Sequence, residues 1–181
     1  MHTRRFAMLG AALLLAGCMG DTGGQPTVSA PAAYTVSKVT LKLAEGATVK
    51  GRFEDKALRD SVLARVSATA TEYAKSKPGG AQNARAIVSV TEMQLKGADG
   101  RSFGGVNAIN GQMSIVASNG TVLKGPVPVR YFDQAKNTGA SFNGIPIGLL
   151  INAGRNSADQ ESGADVDTLI KGFATQVVAG F

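Results

Sequence analysis

Apolar and polar residues alternate from Tyr34 to Leu43, with Val39, Leu41 and Leu43 set against Thr40 and Lys42. A period of two predicts a strand, and Gly46 and Gly51 are expected to break it. From Asp55 to about Ser76 the period lengthens to that of a helix, with Leu58, Val62, Val66, Ala70 and Tyr73 on one stripe. Asp55 is placed to cap the free amides of its first turn, and Pro78-Gly79-Gly80 stops it. A second strand is predicted over Ala86 to Lys96, where the apolar parity switches between Val90 and Met93, the signature of a bulge. After a turn at Ala98-Asp99-Gly100-Arg101, a third strand runs from about Gly105 to Ala117, with Ile109, Met113 and Ile115 on one face. Asn119-Gly120 reads as a two-residue hairpin turn with both residues at positive φ. It leads to a fourth strand, Thr121 to Phe132, with Leu123, Val127, Val129 and Tyr131 in phase. Pro126 and Pro128 offer no ladder N–H, which places this strand at a sheet edge.

Residues 133–164 are rich in Gly and Asn around one apolar island, Ile145-Pro146-Ile147-Gly148-Leu149-Leu150-Ile151. A structureless loop of that length is unusual in a compact domain, so the island is read as a short helix or a docking flap. Val166, Leu169, Ile170, Phe173, Val177, Val178 and Phe181 then mark a C-terminal helix, capped by Asp165. The order β-α-β-β-β-α predicts an α+β fold: a mostly antiparallel four-stranded sheet with two helices packed on one face.

The chain before Tyr34 follows a different logic. Arg4 and Arg5 precede an apolar run from Ala7 to Leu15, too short for a bilayer that needs about 20 residues and proportioned like a cleavable export signal. Its end, Leu15-Ala16-Gly17-Cys18, resembles the lipobox of bacterial lipoproteins, and Cys18 is the only cysteine of the chain. The resemblance implies cleavage before Cys18, a diacylglycerol on its sulfur and acylation of the freed amine. Several acyl chains, at about 0.8 kcal/mol per buried methylene, anchor a protein firmly. Met19 stands where an Asp would favour inner-membrane retention in enteric-type bacteria, so the resemblance implies the outer membrane, facing the periplasm. Three segments follow: a signal peptide over 1–17, a lipidated Cys with a Gly- and Pro-rich tether over 18–33, and one domain over 34–181. As a flexible coil that tether averages roughly 20 Å end to end.

Composition narrows the chemistry. Of 181 residues, 44% are hydrophobic, enough for a core, and the single Cys excludes an internal disulfide. Cleavage at Cys18 removes Arg4, Arg5 and the single His, leaving a mature chain of about +4 with neither imidazole nor thiol. Ser-His-Asp, Cys-His and zinc chemistry are thereby excluded from the mature chain, and no cofactor is implied. Carboxylate chemistry remains: Glu92 with Asp99 or Asp133 is the candidate pair for a glycan-type hydrolysis, which needs acids about 5–9.5 Å apart. Asp159, Glu161, Asp165 and Asp167 cluster where a calcium ion is conceivable, but acids at a helix start are also stabilised by its dipole. Seven basic residues between Lys38 and Arg65 are interspersed with four acids and lack the interleaved aromatics of a nucleic-acid surface.

Lipobox, tether and a β-α-β-β-β-α body resemble a broad group of small periplasmic lipoproteins. The group includes the curli-secretion lipoprotein and the outer-membrane activator of penicillin-binding proteins. The resemblance of residues 34–181 is in element order, and it transfers no functional residue. The leading expectation is a non-enzymatic, membrane-anchored envelope lipoprotein that docks to an envelope protein or to copies of itself and does not bind nucleic acid. Its surfaces would be the island (Ile145, Ile147, Leu149 and Leu150) and the edge strand with Pro126 and Pro128. An apolar-ligand or lipid carrier using the island as a lid is the alternative, and a carboxylate hydrolase of the envelope is the third.

Overall fold

A computed structural model describes residues 33–98, 100, 105–134 and 148–181, without the side chains of 134 and 148–151. Strand β1 (Tyr34–Gly51) leads through a single 3-10 turn (Arg52–Glu54) into helix α1 (Lys56–Lys75). Strands β2 (Gln82–Leu95), β3 (Val106–Ala117) and β4 (Val122–Gln134) follow, then helices α2 (Gly148–Ser162) and α3 (Ala164–Ala179). The sheet order is β1-β2-β3-β4. The α+β class holds, with two corrections to the expected layout.

The first is strand direction. β1 and β2 are parallel, whereas β2–β3 and β3–β4 are antiparallel, so the sheet is mixed. The cause is α1, which carries the chain back along its own length so that β2 starts from the same end as β1. The second is the helix count: a third helix, α2, occupies Gly148–Ser162. Its inward positions include Asn152 and Asn156, one turn apart and only 3% and 6% exposed.

Several local expectations are met. Asp55 caps α1, its Oδ1 accepting from the backbone N–H groups of Ala57 and Leu58. The buried stripe runs through Val62, Val66, Ala70 and Ala74, while Tyr73 faces outward. The β2 bulge falls between Val90 and Glu92, so that Val88, Val90, Met93 and Leu95 all reach the core. β1 is longer than expected: Gly46 does not end it but lies in an irregularity between Leu43 and Thr48, after which pairing with β2 resumes. The β3–β4 connection is also looser than a two-residue turn. Gly120 N–H donates to Ala117 O at 3.0 Å, which puts Ser118 and Asn119 at the centre, and Gly120, at φ 92, closes the loop.

α1 and α3 pack on one face of the sheet over a core that includes Phe53, Val88, Met93, Ile109, Met113, Leu169 and Phe173. Asp165 does not cap α3. The cap position is Gly163 in the left-handed region (φ 74), a conformation that favours glycine and lets α2 turn directly into α3. Asp165 instead lies buried in the first turn, accepting from Val166 N at 2.8 Å and from Arg52 Nη1 at 2.7 Å.

Candidate docking surface

Among the described residues, no helix packs on the second face of the sheet. Because side chains alternate along a strand, the residues between core positions share this face, and the pairing sets them in rows. Lys38 stands beside Arg85, and Lys42 beside Ser89, Gln112 and Pro128. Thr48 stands beside Glu92, Asn110 and Arg130, and Lys50 beside Gln94, Ala108 and Phe132. Lys38, Lys42, Lys50, Arg85 and Arg130 are all exposed. Against these five cations the rows hold one carboxylate, Glu92, whose Oε2 accepts from Asn110 Nδ2 at 2.7 Å.

The linear sequence hides this imbalance because its acids are engaged elsewhere. Glu54 accepts from Gly51 N, Asp55 caps α1, and Asp60 pairs with Lys56 and Arg59. The hydrogen bond from Lys56, helped by the charges of Lys56 and Arg59, holds the Asp60 carboxyl below the ordinary range. Asp165 and Asp167 of the C-terminal cluster pair with Arg52 and Arg65. Among the described residues no group of three His, Cys, Asp or Glu is placed to hold a metal ion. Arg52, Lys56, Arg59, Arg65 and Lys75 form ion pairs away from the open face.

Clefts indent this face among the described residues. One, of about 360 Å³, is lined by Thr91, Glu92, Asn110, Gln112, Arg130 and Phe132, among others. The Oδ1 atom of Asn110, which lines this cleft, is buried without a partner, and Phe132 remains 52% exposed. Another, of about 300 Å³, lies where Lys38 meets Arg85 and is completed by Ser37, Asn83, Ala84 and Ser118.

Both edge strands carry local features that hinder strand pairing. On β1, Val39 turns both backbone groups to α1: Thr71 Oγ1 accepts its N–H at 3.0 Å, and Ser67 Oγ donates to its carbonyl at 2.6 Å. On β4, Pro126 and Pro128 and a register shift opposite Ser114 interrupt the ladder. Prolines and bulges are common devices against edge association. The edge position expected from those prolines is therefore observed.

The other expected site residues fall as follows. Leu15, Ala16, Gly17 and Cys18, with the tether, lie outside the described residues, as do Ile145, Ile147 and Asp99. Leu149 and Leu150 lie in the first turn of α2. Glu92 and Asp133 are not brought together: Glu92 sits on the open face, and Asp133 is in phase with Val129 and Tyr131 on the helix side. Among the described residues no helix is long and apolar enough to cross a membrane.

No protein-family model matches the chain, and no curated protein sequence does. Among solved structures it is similar to a "putative lipoprotein" from Caulobacter crescentus CB15, at 14% identity and a TM-score of 0.25. That match covers 80% of this chain and 93% of the other. A likeness at that score carries no argument about fold or activity.

Proposed function

We propose that the chain is a non-enzymatic lipoprotein of the bacterial envelope, held to the outer membrane through Cys18, whose domain works as an interaction module. The observation that carries the docking role is the helix-free face, with five exposed cations, one carboxylate and an exposed Phe132. The anchor reading rests on Arg4-Arg5, the apolar run 7–15 and Leu15-Ala16-Gly17-Cys18. With both edges blunted, a partner engages the face of the sheet rather than extending it.

Two measurements on the membrane-extracted protein test this reading. Intact mass is expected to equal residues 18–181 plus acyl groups, and a Cys18→Ser variant is expected to lack them. An unmodified chain with a different start overturns the anchor. A photo-crosslinking residue at Gln112, in the middle of the open face, is expected to give a discrete adduct in intact cells, and one at Ala68 on α1 is not. Equal labelling from both positions, or none from Gln112, overturns the face as the docking surface.

A further inference from the structure

The end of the open face nearest the anchor has a composition of its own. β1 begins at Tyr34, and fifteen residues of chain lie between it and Cys18, a span of at most about 55 Å. The loop after α1 and the β3–β4 hairpin lie at this same end: Gly80 N–H donates to Tyr34 O, and Ala84 pairs with Ala117. A register shift at Ser37 puts Lys38 directly beside Arg85. Like charges facing each other across strands destabilise a sheet, and no carboxylate lines the cleft they share with Ser37, Asn83 and Ser118. Such a pair is stabilised by an anion between the two cations, which the hydroxyl and amide groups of the cleft can also hydrogen-bond.

The same row continues across the sheet into Val116 and Val122, and Val122 is 58% exposed. Tyr73, another exposed large apolar residue, stands in the last turns of α1 at this end. Cations beside exposed apolar and tyrosine side chains match a bilayer interface, with phosphate at the headgroup level and hydrocarbon beneath. An acidic protein would match the charges but leave Val122 and Tyr73 without a purpose.

We infer that Lys38 and Arg85, with Ser37, Asn83 and Ser118, bind the phosphate of anionic lipid headgroups and seat this end of the domain on the leaflet that holds its anchor. The inference rests on the anchored reading for its geometry. Its test does not, because it uses the full chain bearing Cys18→Ser. That protein is mixed with vesicles of phosphatidylcholine, with and without phosphatidylglycerol, and bound protein is measured by sedimentation. Residues 1–17, with Arg4 and Arg5, add a background on anionic vesicles that every variant shares, so the site is read from the difference between variants.

A basic residue at an anionic surface contributes about 1 kcal/mol, so Lys38→Gln with Arg85→Gln is expected to lower the partition coefficient onto anionic vesicles about 30-fold. Lys42→Gln with Lys50→Gln removes the same charge further along the face and is expected to change it less than about threefold. Unchanged melting temperatures establish that both double variants fold. Equal losses from the two variants reduce the effect to net charge and overturn the site. Unchanged binding of the Lys38→Gln, Arg85→Gln variant to anionic vesicles also overturns it. Saturation of the cleft by millimolar inorganic phosphate, without vesicle binding, identifies a soluble phosphate ligand and overturns the lipid assignment. Intact mass reads the anchor separately, so either conclusion can fail alone.

Discussion

The contact between Arg52 and Asp165 joins residues 113 positions apart and fastens the start of α3 to the turn between β1 and α1. The Asp165 side chain is 1% exposed, that of Arg52 28%, and their nearest atoms are 2.7 Å apart. With charge centres about 4 Å apart and an effective dielectric near 20, the attraction is about 4 kcal/mol. Much of that offsets the desolvation of the carboxylate, so the net value of the pair is smaller than the cost of breaking it. Arg52→Met leaves a buried carboxylate without its cation and is expected to cost about 3–5 kcal/mol, a fall in melting temperature of about 6–20 °C. Asp165→Asn keeps an oxygen for Val166 N–H and frees an arginine that already reaches water, so about 1–2 kcal/mol is expected. Urea unfolding of both single variants and the double variant is expected to give a coupling energy near 2 kcal/mol. The Arg65–Asp167 pair serves as the internal control: its side chains are 51% and 49% exposed, and Arg65→Ala is expected to cost under about 1 kcal/mol. Additive losses below about 1 kcal/mol at both Arg52 and Asp165 would refute the burial argument.

Two further outcomes test the packing of α3 on β4. A methyl group at Gly172 would lie 2.0 Å from Cζ of Tyr131, so Gly172→Ala is expected to cost about 1–3 kcal/mol despite its better helix propensity. In calorimetry, Tyr131→Ala with Gly172→Ala should then be no less stable than Tyr131→Ala alone, and strictly additive losses exclude the clash. Burial, and next the charge of Asp133, push the Tyr131 phenol above its ordinary value, while burial alone raises Tyr34. The folded state favours the neutral phenols, so their contribution is complete below about pH 10 and is lost as pH rises through the folded values. In a tyrosinate absorbance titration, Asp133→Asn should lower the transition of Tyr131 and leave that of Tyr34 in place. An unchanged Tyr131 transition would show that Asp133 does not act on it.

Where side-chain type and period point the same way, the fold can be read directly from the chain. Asp55 before a helical stripe, the parity switch after Val90 and the prolines of β4 each identified a local feature that the structure contains. The parallel pairing of β1 and β2 was implicit in the order strand, helix, strand, because a helix returning the chain gives two strands a common start. Alternation within the strands does not report their relative direction. Only the start of α2 was anticipated, where the island was read as a short helix or a docking flap; beyond it Asn152 and Asn156 sit inward at helical spacing where a hydropathy pattern expects leucine. Asp165 looked like a cap because sequence shows its distance from the helix start but not Arg52 across the fold. The basic face was the least visible feature. Lys38, Lys42 and Lys50 are mixed in sequence with Glu45, Glu54, Asp55 and Asp60, and only folding assigns three of those acids to caps and ion pairs on the helix side.

How the sheet avoids pairing with other chains bears directly on what its face is free to do. Val39 is 1% exposed, and its N–H and carbonyl, which would otherwise form an open edge, bond to Thr71 and Ser67 of α1. Thr71→Val keeps the shape of the side chain but removes the oxygen that accepts the N–H, leaving a buried donor unsatisfied at about 1–3 kcal/mol. Thr71→Ser keeps that oxygen and is expected to retain most of the stability, so the two variants should separate clearly in urea unfolding. If they unfold together, the hydroxyl is not what closes the edge. A separation between them would establish that the Thr71 hydroxyl holds the Val39 N–H of the β1 edge. The opposite edge is already interrupted by Pro126 and Pro128. The docking proposed for the open face, where among the described residues five cations stand beside a single carboxylate in the paired rows, would then rest on charge rather than on backbone pairing.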